Sequence, residues 1–344
     1  MARAGLQVID SSMISFLIAV RNEERHIGET LECLANQTTA DDIEVLIFDA
    51  ESSDHTIKIA QEYAPHFKHF QIHPNHNLSA SSAWNKGLEL ARFDRVALLS
   101  GHVLLPSTYC EIALKNLSEK VAGVGFRVIG VESDPSSATI AAACNSVLVT
   151  GGSAYTSPET SKAVDTIAYG TYWKDRLRSV GGFDEGIERG QDWDINLRLT
   201  QQGHKLMLLA GDPVQYFVRS SLPQIYQRFW LAGLWKPRIQ LKNRSLPKLR
   251  HLAPATAIIV AFALMLSLAF LESERLLPCA FAISTLYVGA ILASYFQRKP
   301  RPHLPTYLAA VIGIHFFYGT GALVGLAFMK RPSSYCRASS LIIS

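Results

Sequence analysis

The stretch ISFLIAVRNEE (Ile14–Glu24) begins with the first of three short apolar runs, each of which ends at polar residues. The other two runs are Glu44–Phe48 and Val96–Ser100, and their length and composition predict buried β-strands. Between the runs, Glu24–Ala35 and Thr56–Tyr63 carry apolar residues at three- and four-residue spacing, which predicts helices. Alternating strands and helices are typical of an α/β domain whose mostly parallel sheet has helices on both faces.

The polar segments after the three runs are the expected site of the chemistry, because ligands of such sheets bind beyond the carboxyl ends of the strands. The segment FDAESSDHT, residues 48–56, is acidic and rich in hydroxyl groups. Its carboxylates could bind a ribose or a base, or Asp54 or Ser53 could simply cap a helix that starts near Thr56. The first two thirds of the chain contain neither G-x-G-x-x-G nor G-x-x-x-x-G-K-[ST], which disfavours a Rossmann dehydrogenase and a P-loop enzyme.

Composition excludes several classes of protein. The chain has 344 residues, 48% of them hydrophobic, and a mean hydropathy of +0.13, which is too apolar for a disordered protein. A net charge of +4 is too small to indicate a nucleic-acid partner. The 5 cysteines include no C-x-x-C pair, which argues against a disulfide framework or a zinc knuckle and favours a reducing compartment. Residues 1–13 lack the pattern of a signal peptide, so we expect a cytosolic N-terminus.

Three apolar runs in the last third have the length of about 20 residues that crosses a bilayer as a helix. They are Leu252–Leu271, Leu277–Phe296 and Tyr307–Met329. Basic residues with no acidic residue among them precede the first run, which predicts that this side is cytoplasmic. These residues are Lys236, Arg238, Lys242, Arg244, Lys248 and Arg250. The basic residues after the second run would then return to the cytoplasm, and they are Arg298, Lys299 and Arg301. Three full crossings would leave the basic tail at 330–344 outside, against the tendency of basic residues to stay in the cytoplasm. A third segment that re-enters without crossing would remove this conflict.

Several short motifs follow one another in the order and spacing of a known family. They are Asn22-Glu23-Glu24, then Asp49 with Ser53, Asp54 and Thr56, then Asn85-Lys86-Gly87, then Gly181-Gly182-Phe183-Asp184-Glu185, and then Asp192-Trp193. This set resembles the family 2 glycosyltransferases over about residues 14–200. Residues 164–172, together with the C-terminal apolar runs, most resemble the succinoglycan branch of that family.

The resemblance implies a GT-A fold, which is a nucleotide-sugar-binding α/β domain, and assigns roles to particular residues. Asp192 would be the catalytic base that deprotonates the acceptor hydroxyl as it attacks the anomeric carbon, with inversion. Alternatively, Asp192 could merely cap its own helix. Asp49 would bind the uracil or the ribose, while Arg21, Glu23 and Asp54 would shape the nucleotide pocket. The full set of donor-binding residues implied in this way is Arg21, Glu23, Asp49, Ser53, Asp54, Asn85, Lys86 and Ser100.

Two departures from the family pattern bear on charge in the site. Ser100-Gly101-His102 lacks the usual first metal-binding carboxylate, which should weaken Mg²⁺ or Mn²⁺. His102 could still coordinate a divalent cation, preferably Mn²⁺, could donate directly to a phosphate oxygen, or could be a bystander. Gln191 replaces the usual Glu before Asp192, which removes a like charge that would tend to raise the pKa of Asp192.

A segment after the domain, containing Gln227, Arg228 and Trp230, resembles the Q-x-x-R-W element that contacts the acceptor or the diphosphate in processive relatives. Its spacing differs, and an interfacial amphipathic helix explains the same residues better. Both interpretations place the active site near the membrane surface.

The sequence therefore predicts a membrane-anchored inverting glycosyltransferase at a bacterial-type plasma membrane, multi-pass, with its catalytic domain on the cytoplasmic side. Its expected partners are a nucleotide sugar, which we expect to be a UDP-sugar, and a polyprenyl-linked saccharide of exopolysaccharide synthesis. The expected divisions are a GT-A domain at 1–235, a basic linker at 236–251, a membrane region at 252–329 and a tail at 330–344. The alternative is a catalytically impaired homologue that binds a nucleotide or a partner enzyme as a scaffold.

Overall fold

The computed structural model describes residues 13–38, 43–151, 160–246, 249–270 and 276–328. These residues fall into two compact units that divide between Ser220 and Ser221. Residues 152–159, residues 271–275 and the tail lie outside the described residues. The domain boundaries expected from the sequence remain a prediction.

The first unit contains a mixed sheet and the helices that cover it. Its strands are β1 (Ile14–Val20), β2 (Ile43–Asp49), β3 (His69–Pro74), β4 (Arg95–Ser100), β5 (Val103–Leu104), β6 (Val121–Val131), β7 (Lys162–Val164), β8 (Thr171–Trp173) and β9 (Lys205–Phe217). Its helices are α1 (Ile27–Ala35), α2 (Thr56–Glu62), α3 (Ala80–Leu90), α4 (Tyr109–Asn116), α5 (Ala138–Cys144), α6 (Val147–Thr150), α7 (Lys174–Ser179) and α8 (Gln191–Gln201).

The strand order is β3-β2-β1-β4-β8-β6-β9-β5, with β7 paired to β9. Strands β1 to β4 are parallel to one another, as is the β6–β9 pair, whereas β8 runs antiparallel to both of its neighbours. The prediction of an α/β domain with three buried strands is confirmed.

Helices cover both faces of the sheet because successive strand residues point to opposite sides. In β1, Phe16 and Ile18 pack with α1 and α4 in one hydrophobic core, whereas Leu17 packs with α3 and α8 in the other. Burial on both faces explains why these strands appear in the sequence as nearly continuous apolar runs.

The sheet order brings the three predicted strand ends together. Strand β1 lies between β2 and β4, with Val20 opposite Asp49 and Ala19 opposite Ser100. The polar segments that follow these strands therefore meet at one edge of the sheet.

The second unit is helical. It contains α9 (Leu222–Lys242), α10 (Leu249–Phe270), α11 (Leu277–Phe296) and α12 (Leu304–Ala327). Helices α11 and α12 are long and apolar enough to cross a membrane. Within the described residues, the apolar part of α10 is His251–Ser267, which is shorter.

Candidate active site

The loops that follow β1 and β2 are held together by Asn22. Its backbone is left-handed, with φ of 52°, and its side-chain Oδ1 accepts a hydrogen bond of 2.8 Å from the backbone N–H of Ser53. The backbone N–H of Asn22 in turn donates to Oγ of Ser52, at 2.9 Å. The first residue of the N-E-E motif therefore shapes the loop rather than offering a free side chain.

Asp49 and Asp54 organise the acidic turn. Asp49 is the last residue of β2, and its carboxylate lies 3.3 Å from the backbone N–H of Ser52. Asp54 accepts hydrogen bonds from the backbone N–H and the hydroxyl of Thr56 and from the backbone N–H of Glu24. Partial burial raises the pKa of Asp54, but these hydrogen bonds outweigh it, so the pKa lies below the usual value for aspartate. The alternative that Asp54 serves the start of the helix at Thr56 thus has a structural basis, and Ser53 is exposed.

We expect Asp54→Asn to lower the thermal midpoint of the detergent-solubilised chain at pH 7 by about 1–3 °C, since the ionised form makes the stronger hydrogen bonds. Because the pKa of Asp54 is lowered in the folded state, its stabilisation is present above the pKa of about 3.9 of an unfolded aspartate. It is lost as the pH falls through the folded pKa, so the two proteins should converge below about pH 4. A difference in midpoint that is the same at pH 7 and pH 3.5 would contradict this assignment.

Glu23 and His102 form a pair at the ends of β1 and β4. Oε1 of Glu23 lies 2.8 Å from Nδ1 of His102, and the Glu23 side chain is only 9% exposed. The other ring nitrogen, Nε2, lies 3.4 Å from Oγ of Ser100. A Cβ atom on Gly101 would lie 3.0 Å from the side chains of Glu23 and Val20, so the glycine allows this close approach. Glu23, expected to shape the nucleotide pocket, is bonded to this histidine, and its role towards the nucleotide stays a prediction.

The residues around Nε2 fit a divalent cation only partly. Within the described part of the chain, no cluster of three His, Cys, Asp or Glu side chains could hold a metal ion. The donor set at the strand end is one imidazole nitrogen and the neutral hydroxyl of Ser100, which suits Mn²⁺ better than the harder Mg²⁺. A carboxylate bonded to Nδ1 is the usual way in which proteins orient a metal-binding histidine. The set therefore fits Mn²⁺ if a ligand such as a diphosphate supplies the remaining oxygens.

Two further side chains border this edge. Nε of Arg21 is buried and has no hydrogen-bond partner among the described residues, so this guanidinium has a donor to spare. The ring of His26 stacks on Phe217 with centroids 3.9 Å apart, and burial lowers the pKa of His26. His26 was not among the residues singled out from the sequence.

Asn85 connects the N-K-G motif to the G-G-F-D-E motif. Its Oδ1 accepts from the backbone N–H of Phe183 at 2.8 Å, and its Nδ2 donates to the carbonyl of Phe183 at 2.9 Å and to Glu185 at 3.0 Å. The left-handed Gly182 sits against this amide, where a Cβ would lie 2.7 Å from Oδ1. Asn85 thus fixes the 181–185 turn, and its neighbour Lys86 is exposed, with Nζ 3.5 Å from the carbonyl of Pro74.

Asp192 lies in the first turn of α8 and is half-buried. One carboxylate oxygen, Oδ1, accepts a hydrogen bond of 2.8 Å from the backbone N–H of Trp193. The residue at the N-cap is Gly190, with φ of 86°, so Asp192 is not the N-cap. On the buried face of this helix, Asp194 pairs with Arg198, which also donates to the carbonyl of Val180. These bonds fix α8 against the turn that carries Gly181.

Gln227, Arg228 and Trp230 lie on α9, in the second unit. Gln227 is exposed, whereas Arg228 and Trp230 are half-buried. Their contact with an acceptor or a diphosphate stays a prediction.

Sequence reasoning missed the pairing of Glu23 with His102 and the structural use of Asn22 and Asn85. The first pair is separated by 79 residues, and the contacts of Asn85 with Phe183 by 98. The available signal was that β1 and β4 both end in polar residues, but the strand order was needed to show that they are neighbours.

The strand order, the helices on both faces and the polar edge define a glycosyltransferase domain of the GT-A fold. A mannosyltransferase, PcManGT from Pyrobaculum calidifontis, solved in complex with GDP-Man and Mn²⁺, is similar with a TM-score of 0.61 and 16% identity. The likeness covers 91% of this chain and 86% of that one, and at this identity it establishes the fold alone.

Residues 15–151 match the model of the family described as glycosyl transferase family 2. The chain therefore contains a family 2 glycosyltransferase domain. It is 26% identical over 318 residues to succinoglycan biosynthesis protein ExoA of Rhizobium meliloti (strain 1021), covering 90% of this chain and 93% of that protein. It is 29% identical over 227 residues, 63% of this chain and 70% of the relative, to a Methanococcus voltae enzyme. That enzyme is named dolichyl N-acetyl-alpha-D-glucosaminyl phosphate 3-beta-D-2,3-diacetamido-2,3-dideoxy-beta-D-glucuronosyltransferase.

Proposed function

We propose that the chain is a membrane-anchored, inverting glycosyltransferase that moves a sugar from a UDP-sugar to a lipid-linked saccharide in the synthesis of a cell-surface polysaccharide. The observation that carries the proposal is the meeting of three polar strand ends, after Val20, Asp49 and Ser100, at one edge of the sheet. The similarity to ExoA supports a role in polysaccharide synthesis. The name of the Methanococcus voltae relative supports an acceptor that is linked to a lipid phosphate.

Asp192 is the proposed catalytic base. The acceptor hydroxyl gives its proton to the carboxylate as its oxygen bonds to the anomeric carbon, and the bond from that carbon to the nucleoside diphosphate breaks on the opposite face. Oδ1 of Asp192 already accepts the bond from Trp193, which orients the carboxylate. The half-buried position of Asp192 leaves it accessible to a substrate.

The donor pocket is proposed to lie along the loops after β1 and β2. The carboxylate of Asp49 would accept hydrogen bonds from the ribose or the uracil, and Arg21 has a buried donor to offer to the nucleotide. Ser53 and Lys86 are exposed and would contact the donor directly. Asp54 and Asn85 would act by holding the pocket in shape through the hydrogen bonds described above.

His102 is proposed to face the diphosphate through Nε2, with Glu23 holding its ring and Ser100 beside it. A bound Mn²⁺ on this nitrogen would supply positive charge to the departing nucleoside diphosphate. Glu23 is then a positioning residue, since it contacts the imidazole and fixes which ring nitrogen is presented.

The helical unit is proposed to anchor the enzyme in the plasma membrane, with the glycosyltransferase domain in the cytoplasm where nucleotide sugars are found. Helix α11 has the required length and composition, and α10 is 22 residues long. The basic residues that precede α10 support the cytoplasmic side for the domain. Gln227, Arg228 and Trp230 remain proposed contacts for the acceptor or the diphosphate.

The proposal is tested by the thermal midpoint of the detergent-solubilised chain with UDP, GDP, CMP or NAD, each with and without Mn²⁺. A nucleotide at about 100 times its Kd adds about 2.7 kcal/mol to the folded state, so we expect UDP to raise the midpoint by about 5 °C or more. Asp49→Ala should lose this shift, whereas the matched control Asp175→Asn, an exposed first-turn aspartate of α7, should keep it. If no nucleotide moves the midpoint, the scaffold alternative is favoured instead.

A further inference from the structure

Helix α12 packs along α9 in a parallel arrangement. The hydroxyl of Tyr226 donates to the carbonyl of Ala309 at 2.8 Å, and its ring stacks on Phe317 with centroids 4.8 Å apart. At the other end, Nη2 of Arg238 donates to the carbonyl of Phe328 at 3.1 Å. Since residue numbers rise together along both helices, the two helices point the same way.

Glycines allow the two backbones to approach closely between these end contacts. A Cβ on Gly233 of α9 would collide with the carbonyl of Tyr318, and a Cβ on Gly321 with the carbonyl of Trp230. A Cβ on Gly325 would collide with the carbonyl of Leu234 in the same way. Small residues at four-residue spacing are therefore used for packing here, and the pairing extends over most of α12.

The charges show which side of the membrane each end of α12 occupies. Its first residue, Leu304, follows the basic segment that contains Arg298, Lys299 and Arg301. Phe328, the residue directly after α12, accepts a hydrogen bond from Arg238, which belongs to the basic stretch that precedes α10. The positive-inside tendency assigns both basic segments to the cytoplasm. Both ends of α12 therefore lie on the same side.

Two contacts with the other apolar helices agree with this placement. Near the start of α12, the hydroxyl of Tyr307 lies 2.7 Å from Oγ of Ser294, at the end of α11 that leads into the basic segment. Further along, a Cβ on Gly319 would lie 2.8 Å from the carbonyl of Pro254, in the second turn of α10. If α12 crossed the bilayer from the cytoplasm, Gly319 would lie about 22 Å along the helix from its cytoplasmic end. That depth is far from the cytoplasmic start of α10, where Pro254 lies.

The middle of α12 also touches α11, because Nδ1 of His315 lies 2.8 Å from the hydroxyl of Tyr287. This contact joins one side chain of each helix and does not by itself fix the direction of the α12 axis. The exposed apolar residues of α12 include Ile312 at 44% and Phe316 at 52%.

We infer that α12 does not cross the bilayer and that α9 and α12 together form a helix pair in the cytoplasmic membrane interface, so that only α10 and α11 cross. The partner of this helix pair is a phospholipid surface, whose acyl chains contact Ile312 and Phe316 and whose anionic headgroups contact the basic residues of α9. The inference rests on the proposed membrane anchoring. It also removes the conflict noted in the sequence, because the basic tail then remains in the cytoplasm.

Reporter fusions to the full chain test the inference, using alkaline phosphatase, which is active only outside the cytoplasm, and green fluorescent protein, which is fluorescent only inside. We expect a fusion after Ser344 to be fluorescent and to lack phosphatase activity. An insertion within residues 271–275, between α10 and α11, should give phosphatase activity.

The outcomes separate the two proposals. Phosphatase activity at both positions would leave the membrane anchoring intact and overturn the interfacial placement of α12. A fluorescent, phosphatase-inactive reporter at both positions would show that α10 and α11 do not cross, and it would overturn the proposed anchoring and the inference together.

The packing itself is tested by a pair of substitutions to leucine. Gly321→Leu should lower the thermal midpoint of the detergent-solubilised chain by about 5 °C or more, because the new side chain meets the backbone of α9. Gly289→Leu on α11 is the matched control, since a Cβ there meets nothing within 4 Å and the midpoint should not change. Equal midpoints for the two variants would contradict the close packing of α9 and α12 on which the inference depends.

Discussion

Replacing Asp192 with asparagine is expected to lower sugar transfer by about 10³-fold, within the range of 10²–10⁴ for the loss of a general base. The amide cannot take the proton of the acceptor hydroxyl at neutral pH. It can keep the structural hydrogen bond, since its Oδ1 can accept from the backbone N–H of Trp193 as the carboxylate does. The loss should therefore fall on kcat, while the thermal midpoint and its rise with UDP stay close to those of the unchanged chain.

The matched control is Asp175→Asn, because Asp175 also lies in the first turn of a helix and is exposed. Its transfer rate should equal that of the unchanged chain, which would exclude a general effect of removing a carboxylate. The measurement is the initial rate of sugar transfer by the full chain in detergent, with the acceptor lipid in excess. Transfer by Asp192→Asn at the unchanged rate would refute the assignment of the base.

The second large effect is expected at the Glu23–His102 pair. We expect Glu23→Gln to raise the Mn²⁺ concentration for half-maximal transfer by about 10–100-fold, the usual cost of removing a carboxylate that orients a metal-binding histidine. His102→Ala should lower kcat/KM by about 10²–10³-fold, since it removes the imidazole that we propose faces the diphosphate. A purely structural role of Glu23 would change stability without changing the Mn²⁺ dependence.

Glu24→Gln is the control for this pair, because Glu24 is the adjacent acid of the same motif and its side chain is bonded to His55 instead. The Mn²⁺ dependence of Glu24→Gln should match that of the unchanged chain. If chelation of divalent ions leaves transfer unchanged in the native sequence, the metal assignment fails, and direct donation by His102 to a phosphate oxygen is the alternative that remains. Rates across a Mn²⁺ titration in the three variants decide between these outcomes.

The local pattern of the chain was enough to predict the α/β domain. Strands buried on both faces must be apolar along their whole length, so Ile14–Val20, Ile43–Asp49 and Arg95–Ser100 could be recognised without a partner strand. The ordered motifs from Asn22 to Trp193 likewise predicted a family 2 glycosyltransferase domain, and residues 15–151 match the model of that family.

The roles of individual site residues were harder to predict, because a side chain at a strand end has the same local sequence whether it meets a substrate or another side chain. Asn85 was expected to bind the donor, which stays a prediction, and its amide is bonded to Phe183 and Glu185. Glu23 was expected to shape the pocket, and it is bonded to His102. Such pairs depend on the order of strands in the sheet, which periodicity does not encode.

The sequence by itself determined strands β1, β2 and β4, helices α1 and α2, the apolar runs and the resemblance to the family, because these follow from residue type and spacing along the chain. Only the tertiary structure decided that β1 lies between β2 and β4, and hence that Glu23 meets His102 across 79 residues. Only the tertiary structure showed that Arg238 donates a hydrogen bond at the end of α12. Hydropathy measures how long and how apolar a helix is, whereas contacts between distant residues determine where each end of the helix lies.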